Sequence, residues 1–306
     1  MRIIFAGTPA NAASTLQALL AKNHNVVGVL TRMDAPTGRR GTLTESPVAS
    51  VAREHKLEML KSNQPDTEVA QWITSLKPDL GVIVAYGSIL RSNLLDIPSK
   101  GWLNVHYSML PKYPGASPVQ QALLEGASTT GVTVFQLDEG VDSGPILSQV
   151  STQISTEATA GSLLEELNNV GSNLLLETLE DLDSYIERKS GQELNPSQPV
   201  TRKITRALAK IDFAFPAHKI VNLVRAMNPE PVAWFEFESQ PVRVLEASMA
   251  EIPGLAAGVA VLSNGELIVG SSDEAVILRT IQPAGKKPMS GADWFRGLRR
   301  DSLSIT

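Results

Sequence analysis

Leu80-Gly81-Val82-Ile83-Val84-Ala85 carries no polar side chain and runs directly into Tyr86-Gly87. An uninterrupted apolar run of that length, closed by a turn signal, suits a strand buried on both faces. That is the situation of a central strand in a parallel sheet covered by helices. Working outward, the same alternation recurs. Ile3–Ala6 is apolar and ends at Gly7-Thr8-Pro9, after which Ala12 to Leu20 reads as a helix. Asn25–Thr31 and Leu57–Leu60 read as strands, Val48–His55 and Thr67–Leu76 as helices, the latter stopped by Pro78. Trp102–Tyr107, Val132–Leu137 and Ile146–Ile154 are further strand candidates. Leu163 to Ile186 is the longest helical pattern, with Ser162 and Glu165 at capping-box spacing and Gly191 suited to its end. Strands alternating with helices predict an α/β, Rossmann-like domain with a mostly parallel sheet over residues 1–190.

The pattern then changes. Gly191–Pro199 is rich in Pro, Gln, Asn and Ser and reads as a linker, taken as residues 191–204. One helix, Ala217–Met227, is followed by β-like runs at 232–237, 241–247, 258–262, 266–270 and 275–282. This spacing predicts a small, OB-like β-barrel domain over 205–306.

Composition narrows the chemistry. The 306 residues contain no Cys, which excludes disulfides, a thiolate nucleophile and cysteine-bound metal. The four His (His24, His55, His106, His218) show no ligand spacing, so no metal is expected. No run approaches the ~18 apolar residues of a membrane span. With no basic leader before the first strand, a cytoplasmic protein without membrane contact is expected. Net charge is −5, which argues against a protein that coats nucleic acid indiscriminately. Yet residues 201–306 hold 13 Lys+Arg and 11 Asp+Glu, against 14 and 21 in residues 1–200. A local basic track remains open.

Gly7-Thr8-Pro9 sits where a phosphate-binding turn would sit, but it lacks both the three-glycine dinucleotide fingerprint and a Gly-Lys-Ser/Thr ending. A plain strand-to-helix turn is the simpler reading. Gly101-Trp102-Leu103-Asn104-Val105-His106-Tyr107-Ser108-Met109-Leu110-Pro111 is more informative. On a strand, Asn104 and His106 project from one face, with Ser108 in line, while Leu103 and Val105 pack on the other. An amide and an imidazole on an apolar strand cost stability unless both are hydrogen-bonded. A satisfied polar pair at a strand end and a reactive site stand level on this segment alone. Leu137-Asp138-Glu139-Gly140-Val141-Asp142-Ser143-Gly144 is either an acidic turn or a ligand loop at a strand's C-terminal edge. If Asp142 turns inward to hold His106, the three side chains suit acyl transfer to an external amine. Asn104 would stabilise an oxyanion, and His106 with Asp142 would handle protons.

At these residues the chain resembles the methionyl-tRNA formyltransferases, within the wider 10-formyltetrahydrofolate-dependent formyltransferases. That group carries Asn-x-His on a strand and a later Asp in an acidic glycine loop, here Asn104, His106 and Asp142. Its Ser-Leu-Leu-Pro segment stands as Ser108-Met109-Leu110-Pro111. Arg2–Pro9 and Val84-Ala85-Tyr86-Gly87 look like the family's, as do Lys210-Ile211-Asp212-Phe213, Arg225-Ala226-Met227-Asn228-Pro229 and Gln282–Gly291. The last three point to the tRNA enzymes. Tyr107, Met109 and Pro114 depart from the family's pattern. Strand alternation turns Tyr107 away from the triad, Met109 is a soft replacement for Leu, and Pro114 removes one possible phosphate contact.

The resemblance implies transfer of a formyl group from 10-formyltetrahydrofolate to the amine of methionyl initiator tRNA by a monomer that needs no metal. It implies a folate cleft built from Ile83, Tyr86, Gly87, Ile89, Leu90, Ser108, Met109, Leu110, Pro111, Gly140 and Val141, although core packing explains the Ile and Leu positions equally well. It also implies that Arg39 and Arg40, in the loop 32–41, engage the tRNA. Arg202, Lys203, Lys210, Lys286 and Lys287 would extend the basic track through phosphate contacts. Three alternatives stay open. They are a formyltransferase acting on an amino-sugar nucleotide or a purine precursor, a catalytically silent tRNA- or folate-binding protein, and a nicotinamide oxidoreductase, weakened by the missing glycines.

Overall fold

The computed structural model describes residues 1–37, 41–193, 199–252 and 254–305. It divides into two compact units. One comprises Met1–Gly115, Thr130–Thr152 and Leu164–Val200; the other comprises Ala116–Thr129, Gln153–Leu163 and Thr201–Thr306. The helix and turns at 116–129 and the segment 153–163 thus belong with the C-terminal residues.

The first unit is an α/β sheet. In chain order its strands are β1 (Arg2–Gly7), β2 (Asn25–Thr31), β3 (Ala35–Thr37), β4 (Thr42–Thr44), β5 (Met59–Lys61), β6 (Leu80–Val84), β7 (Trp102–His106), β8 (Thr129–Gln136) and β9 (Ile146–Gln153). The main sheet runs β5-β2-β1-β6-β7-β8-β9. Its pairs are parallel from β5 through β7, and β8 is antiparallel to β7. Strand order reverses between β1 and β6. Open α/β sheets place ligands at such a switch point, beyond the C-terminal ends of the strands.

Every residue of β6 is buried, as its unbroken apolar run required. A Cβ on Gly81 would lie 2.2 Å from the Trp102 ring, so the indole lies flat on that backbone and donates Nε1–H to the Leu94 carbonyl at 2.9 Å. Helices α1 (Ala10–Ala21), α2 (Pro47–Glu54), α3 (Thr67–Leu76) and α4 (Ser92–Leu95) connect the parallel strands. Ser46 and Asp66 accept backbone N–H bonds at the starts of α2 and α3.

β3, inside the loop 32–41, pairs with β4 just beyond it as a short antiparallel ribbon. Thr37, Thr42 and Thr44 supply β-branched residues that favour this ribbon. The single helix expected over 163–186 is divided. After α5 (Pro118–Leu124), α6 spans Ala160–Glu180 and α7 spans Leu182–Arg188, with the break at Asp181. The cap also lies earlier than expected. Thr159 and Ser162 exchange reciprocal bonds, Ser162 N–H to Thr159 Oγ1 at 3.3 Å and Thr159 N–H to Ser162 Oγ at 3.0 Å.

In the second unit α8 (Ala217–Ala226) precedes β10 (Ala233–Phe237), β11 (Gln240–Ala250), β12 (Val259–Ser263), β13 (Glu266–Gly270), β14 (Ala275–Pro283) and β15 (Met289–Ser290). Helix α9 (Gly291–Leu298) and β16 (Ser302–Ser304) follow. The antiparallel order β10-β11-β14-β13-β12-β16, with β15 on β14, forms the half-barrel of a small barrel domain. Phe213, Phe235 and Trp294 meet edge to face in its core, with centroids 5.9 and 6.0 Å apart. Asp273 accepts the Ala217 N–H at 2.9 Å and so caps α8. That bond, with those from Ser271 and Glu274, holds its carboxyl at about 2. Arg225 donates Nε–H to the Ala158 carbonyl and Nη2–H to the Ser155 carbonyl, tying 153–163 to α8. Among the described residues no helix is long and apolar enough to cross a membrane.

Candidate active site

Asn104 and His106 lie on one face of β7, about 7 Å apart along the strand. Opposite alternation sends Leu103 and Val105 into the core, where a Cβ on Gly171 would touch Val105 at 2.9 Å. Tyr107 continues that inner face. Its hydroxyl donates to Asn168 Oδ1 at 2.9 Å and accepts from Asn11 Nδ2 at 3.0 Å, away from His106 as strand alternation implied. Burial raises this phenol to about 12.

His106 is buried, and its ring meets Phe135 edge-on. Nε2 lies 3.0 Å from the Tyr113 carbonyl oxygen. A carbonyl can only accept, so this contact assigns the ring proton to Nε2 and leaves Nδ1 as the atom that gains or loses a proton. Nδ1 faces Asp142 Oδ2 at 3.6 Å. This separation suits an ion pair and exceeds a direct hydrogen bond. Asp142 Oδ2 also accepts the Gly115 N–H at 2.6 Å. The Asn104 side-chain amide is half-buried and finds no protein partner among the described residues. The geometry therefore joins a free amide donor to a shielded imidazole–carboxylate pair.

Two loops create this arrangement. The segment after β7 folds back through Ser108 Oγ, which donates to the Lys112 carbonyl at 2.6 Å. Thr133 Oγ1 donates to the Ser108 carbonyl and accepts from Leu110 N–H, while Gln149 Nε2 donates to the Leu110 carbonyl at 2.8 Å. Ser108 and Leu110 are buried by these ties, and the Met109 side chain packs over Gly131. In the second loop Asp142 adopts a φ of +51°. Gly144 passes so close to β8 that a Cβ there would stand 1.9 Å from the Gln136 carbonyl oxygen.

The other expected site residues are scattered. Ile83, Tyr86 and Leu90 belong to one buried apolar cluster, whereas Ile89 is 78% exposed and Val141 50% exposed. Tyr86 donates its hydroxyl to the Ser62 carbonyl at 2.8 Å, and burial raises it to about 12. Gly87 accepts an Arg32 N–H at 3.3 Å, and Gly140 is exposed beside Asp138. Pro111 follows a cis peptide bond in the 108–112 turn.

Arg202, Lys203, Lys210, Lys286 and Lys287 are all exposed. Arg39 and Arg40 lie outside the described residues. The sequence reading missed Trp234, which adjoins Lys210, and the two arginines placed against it, Arg206 and Arg243. Trp234 has Arg206 and Lys210 over its ring at 5.5 and 5.7 Å, and it pairs across the sheet with Arg243. Gln192, also missed, bonds the Asp142 loop. Only the β10–β11 register brings Trp234 to Arg243, and no local motif marks either residue. No metal-holding group of His, Asp and Glu occurs among the described residues.

The formyl transferase family model matches residues 1–179, and the formyl transferase C-terminal domain model matches residues 203–299. A methionyl-tRNA formyltransferase of Renibacterium salmoninarum is 41% identical over 97% of this chain and 97% of its own length. One from Mycobacteroides abscessus is 40% identical over 99% and 98%. The chain belongs to the methionyl-tRNA formyltransferase family. Among solved structures, an N-formyltransferase of Helicobacter canadensis in complex with folinic acid and dTDP-3-aminofucose superposes with a TM-score of 0.69. It is 20% identical over 92% of this chain and 98% of that one. At that identity the likeness speaks for the fold alone.

Proposed function

We propose that this protein transfers the formyl group of 10-formyltetrahydrofolate to the amino group of methionyl initiator tRNA, giving N-formylmethionyl-tRNA for translation initiation. One observation carries the reading: methionyl-tRNA formyltransferases are about 40% identical to this chain in alignments that span 97–99% of it. The Asn-x-His and Asp set alone marks only the wider group. In this reading residues 1–190 perform the chemistry, 191–204 join the parts, and 205–306 contact tRNA. The protein acts as a cytoplasmic monomer and requires no metal.

The amine nitrogen attacks the formyl carbon, the bond from that carbon to the folate nitrogen breaks, and the proton lost by the amine ends on the released folate. The substrates supply both nucleophile and activated carbonyl, so the protein's work is positioning, oxyanion stabilisation and proton transfer. Asn104 donates its uncommitted N–H to the oxyanion. His106 Nδ1, facing Asp142, carries the proton between the amine and the leaving nitrogen. The cleft at the ends of β6 and β7 receives the folate through Gly87, Ile89, Met109, Pro111, Gly140 and Val141, with Ile83, Tyr86, Leu90, Ser108 and Leu110 shaping it from beneath. Arg39, Arg40, Arg202, Lys203, Lys210, Lys286 and Lys287 meet tRNA phosphates, and Arg206, Trp234 and Arg243 extend that surface.

Formylation of charged initiator tRNA by the purified protein with 10-formyltetrahydrofolate, against charged elongator tRNA, tests the reading. Selective formylation of the initiator is expected. Formylation of an amino-sugar nucleotide, with none on tRNA, would overturn it.

A further inference from the structure

The chain leaving α7 crosses the loop that carries Asp142. Ser190 and Ile146 exchange backbone bonds of 3.0 and 2.8 Å, and Lys189 Nζ donates to Gln136 Oε1 at 2.7 Å. Gln192 then reaches into the loop itself. Its Nε2 donates to the Asp142 carbonyl at 2.9 Å and to the Gly144 carbonyl at 2.7 Å. Both N–H groups of one amide are spent on the two carbonyls that bracket Ser143.

The other end of this amide is telling. Gln192 Oε1 is buried and finds no partner among the described residues. A buried, unpaired amide oxygen is costly, and a side chain serving only to fill space would avoid it. The cost is understandable if the donors are needed where they are. What they hold is an uncommon conformation: Asp142 sits in the left-handed region, which aspartate tolerates better than most residues but still adopts at some cost. The Gly115 N–H fixes the carboxylate of Asp142, and Gln192 fixes its main chain.

We infer that Gln192 is a positioning residue, holding the Asp142 backbone so that the carboxylate stays opposed to His106 Nδ1. This rests on the proton-handling role proposed above for Asp142. The ties at Lys189 and Ser190 anchor the strap independently of Gln192, so replacing the amide should loosen the loop without unfolding the sheet.

Two variants test this. Gln192→Met keeps length and bulk but removes both donors. Gln192→Glu keeps shape and sets a carboxylate against two carbonyl oxygens. A misplacement of about 1 Å costs ~10² in rate, and a loosened loop held at both ends should shift by less. We therefore expect kcat to fall about tenfold in Gln192→Met and further in Gln192→Glu, with KM for the folate donor within about twofold. Backbone amides of Asp142, Ser143 and Gly144 should exchange hydrogen faster, while those of β6 and β7 should not change. In an Asp142→Asn background, Gln192→Met should cost almost nothing more, because both changes act through one carboxylate.

Unchanged kcat in Gln192→Met, or a loss that simply adds to that of Asp142→Asn, would overturn the assignment and leave the role of Asp142 standing. Wild-type turnover in Asp142→Asn itself would overturn both.

Discussion

Gly144→Ala probes how tightly the Asp142 loop must be held. The new methyl would lie 1.9 Å from the Gln136 carbonyl oxygen, 3.0 Å from its carbon and 3.3 Å from the Asp138 nitrogen. All three are backbone atoms. Gln136 cannot yield, because it pairs with Leu103 and its N–H donates to the Pro145 carbonyl at 2.9 Å. The loop must therefore retreat by about 1.1 Å merely to reach a 3.0 Å contact. A shift of that size two residues from Asp142 should lower kcat by ~10². Crowding of this kind costs about 1–3 kcal/mol of stability, or a few degrees in Tm per kcal/mol at this chain length. The variant should thus remain folded at assay temperature. Initiator-tRNA formylation at saturating substrates gives kcat, and calorimetry gives Tm. Gly140→Ala supplies the comparison, since its methyl meets the Ser143 hydroxyl, which can rotate away. A smaller loss, below about tenfold, is expected there. If Gly144→Ala keeps kcat within about threefold of the parent, or if both variants are equally impaired, close approach to β8 does not position the site.

Asn104→Ala should lose ~10²–10³ in kcat, the usual cost of one oxyanion donor, with Tm and folate affinity little changed; near-parental turnover would remove Asn104 from the mechanism. His106→Gln retains an N–H able to reach the Tyr113 carbonyl but loses the proton-accepting nitrogen. Its kcat should fall by ~10²–10⁴, and survival of more than a tenth of the activity would show that His106 only braces the loop. Combined Arg39→Ala and Arg40→Ala, or combined Lys286→Ala and Lys287→Ala, should raise KM for tRNA and flatten its dependence on salt; an unchanged slope would exclude those phosphate contacts. Tyr86 and Tyr107 hold their protons to about pH 12, above the ordinary value near 10. The unfolded chain therefore releases these protons first, and their contribution to stability, complete below pH 10, declines between pH 10 and 12. Ultraviolet titration should find Tyr86 and Tyr107 ionising late and together with unfolding, and Tyr107→Phe should change the midpoint of that alkaline transition.

Patterns that repeat along the chain were the most legible. The apolar run at 80–84 gave a buried strand, and alternation on β7 separated Asn104 and His106 from Leu103, Val105 and Tyr107. Features set by a few competing contacts were less so. The helix cap moved from Ser162 to Thr159 because both hydroxyls can serve, and the reciprocal bond between them selects the earlier start. Asp181 interrupts an apolar period that would otherwise continue from α6 into α7. Ile83, Tyr86 and Leu90 satisfy the same apolar pattern whether they line a cleft or fill a core, and packing places them in the core cluster.

The residues that complete the site were hidden for a different reason. His106 and Asp142 stand 36 positions apart, and no period relates them. They meet because the backbone turns through conformations that its residues do not prefer: Ala85 has φ +46°, Tyr113 φ +58° and Asp142 φ +51°. Local propensity opposes the first two of these bends and only tolerates the third, so a reading based on propensity cannot anticipate them. Each bend must instead be held by tertiary bonds. Thr8 Oγ1 grips the Tyr86 carbonyl after the first, the Tyr113 carbonyl meets His106 Nε2 at the second, and the Gly115 N–H meets Asp142 Oδ2 at the third. The last two holding contacts are made by the pair proposed to handle the proton. On that proposal His106 and Asp142 keep the loops in place while they serve the reaction, and substitutions that preserve one duty while removing the other are needed to separate them.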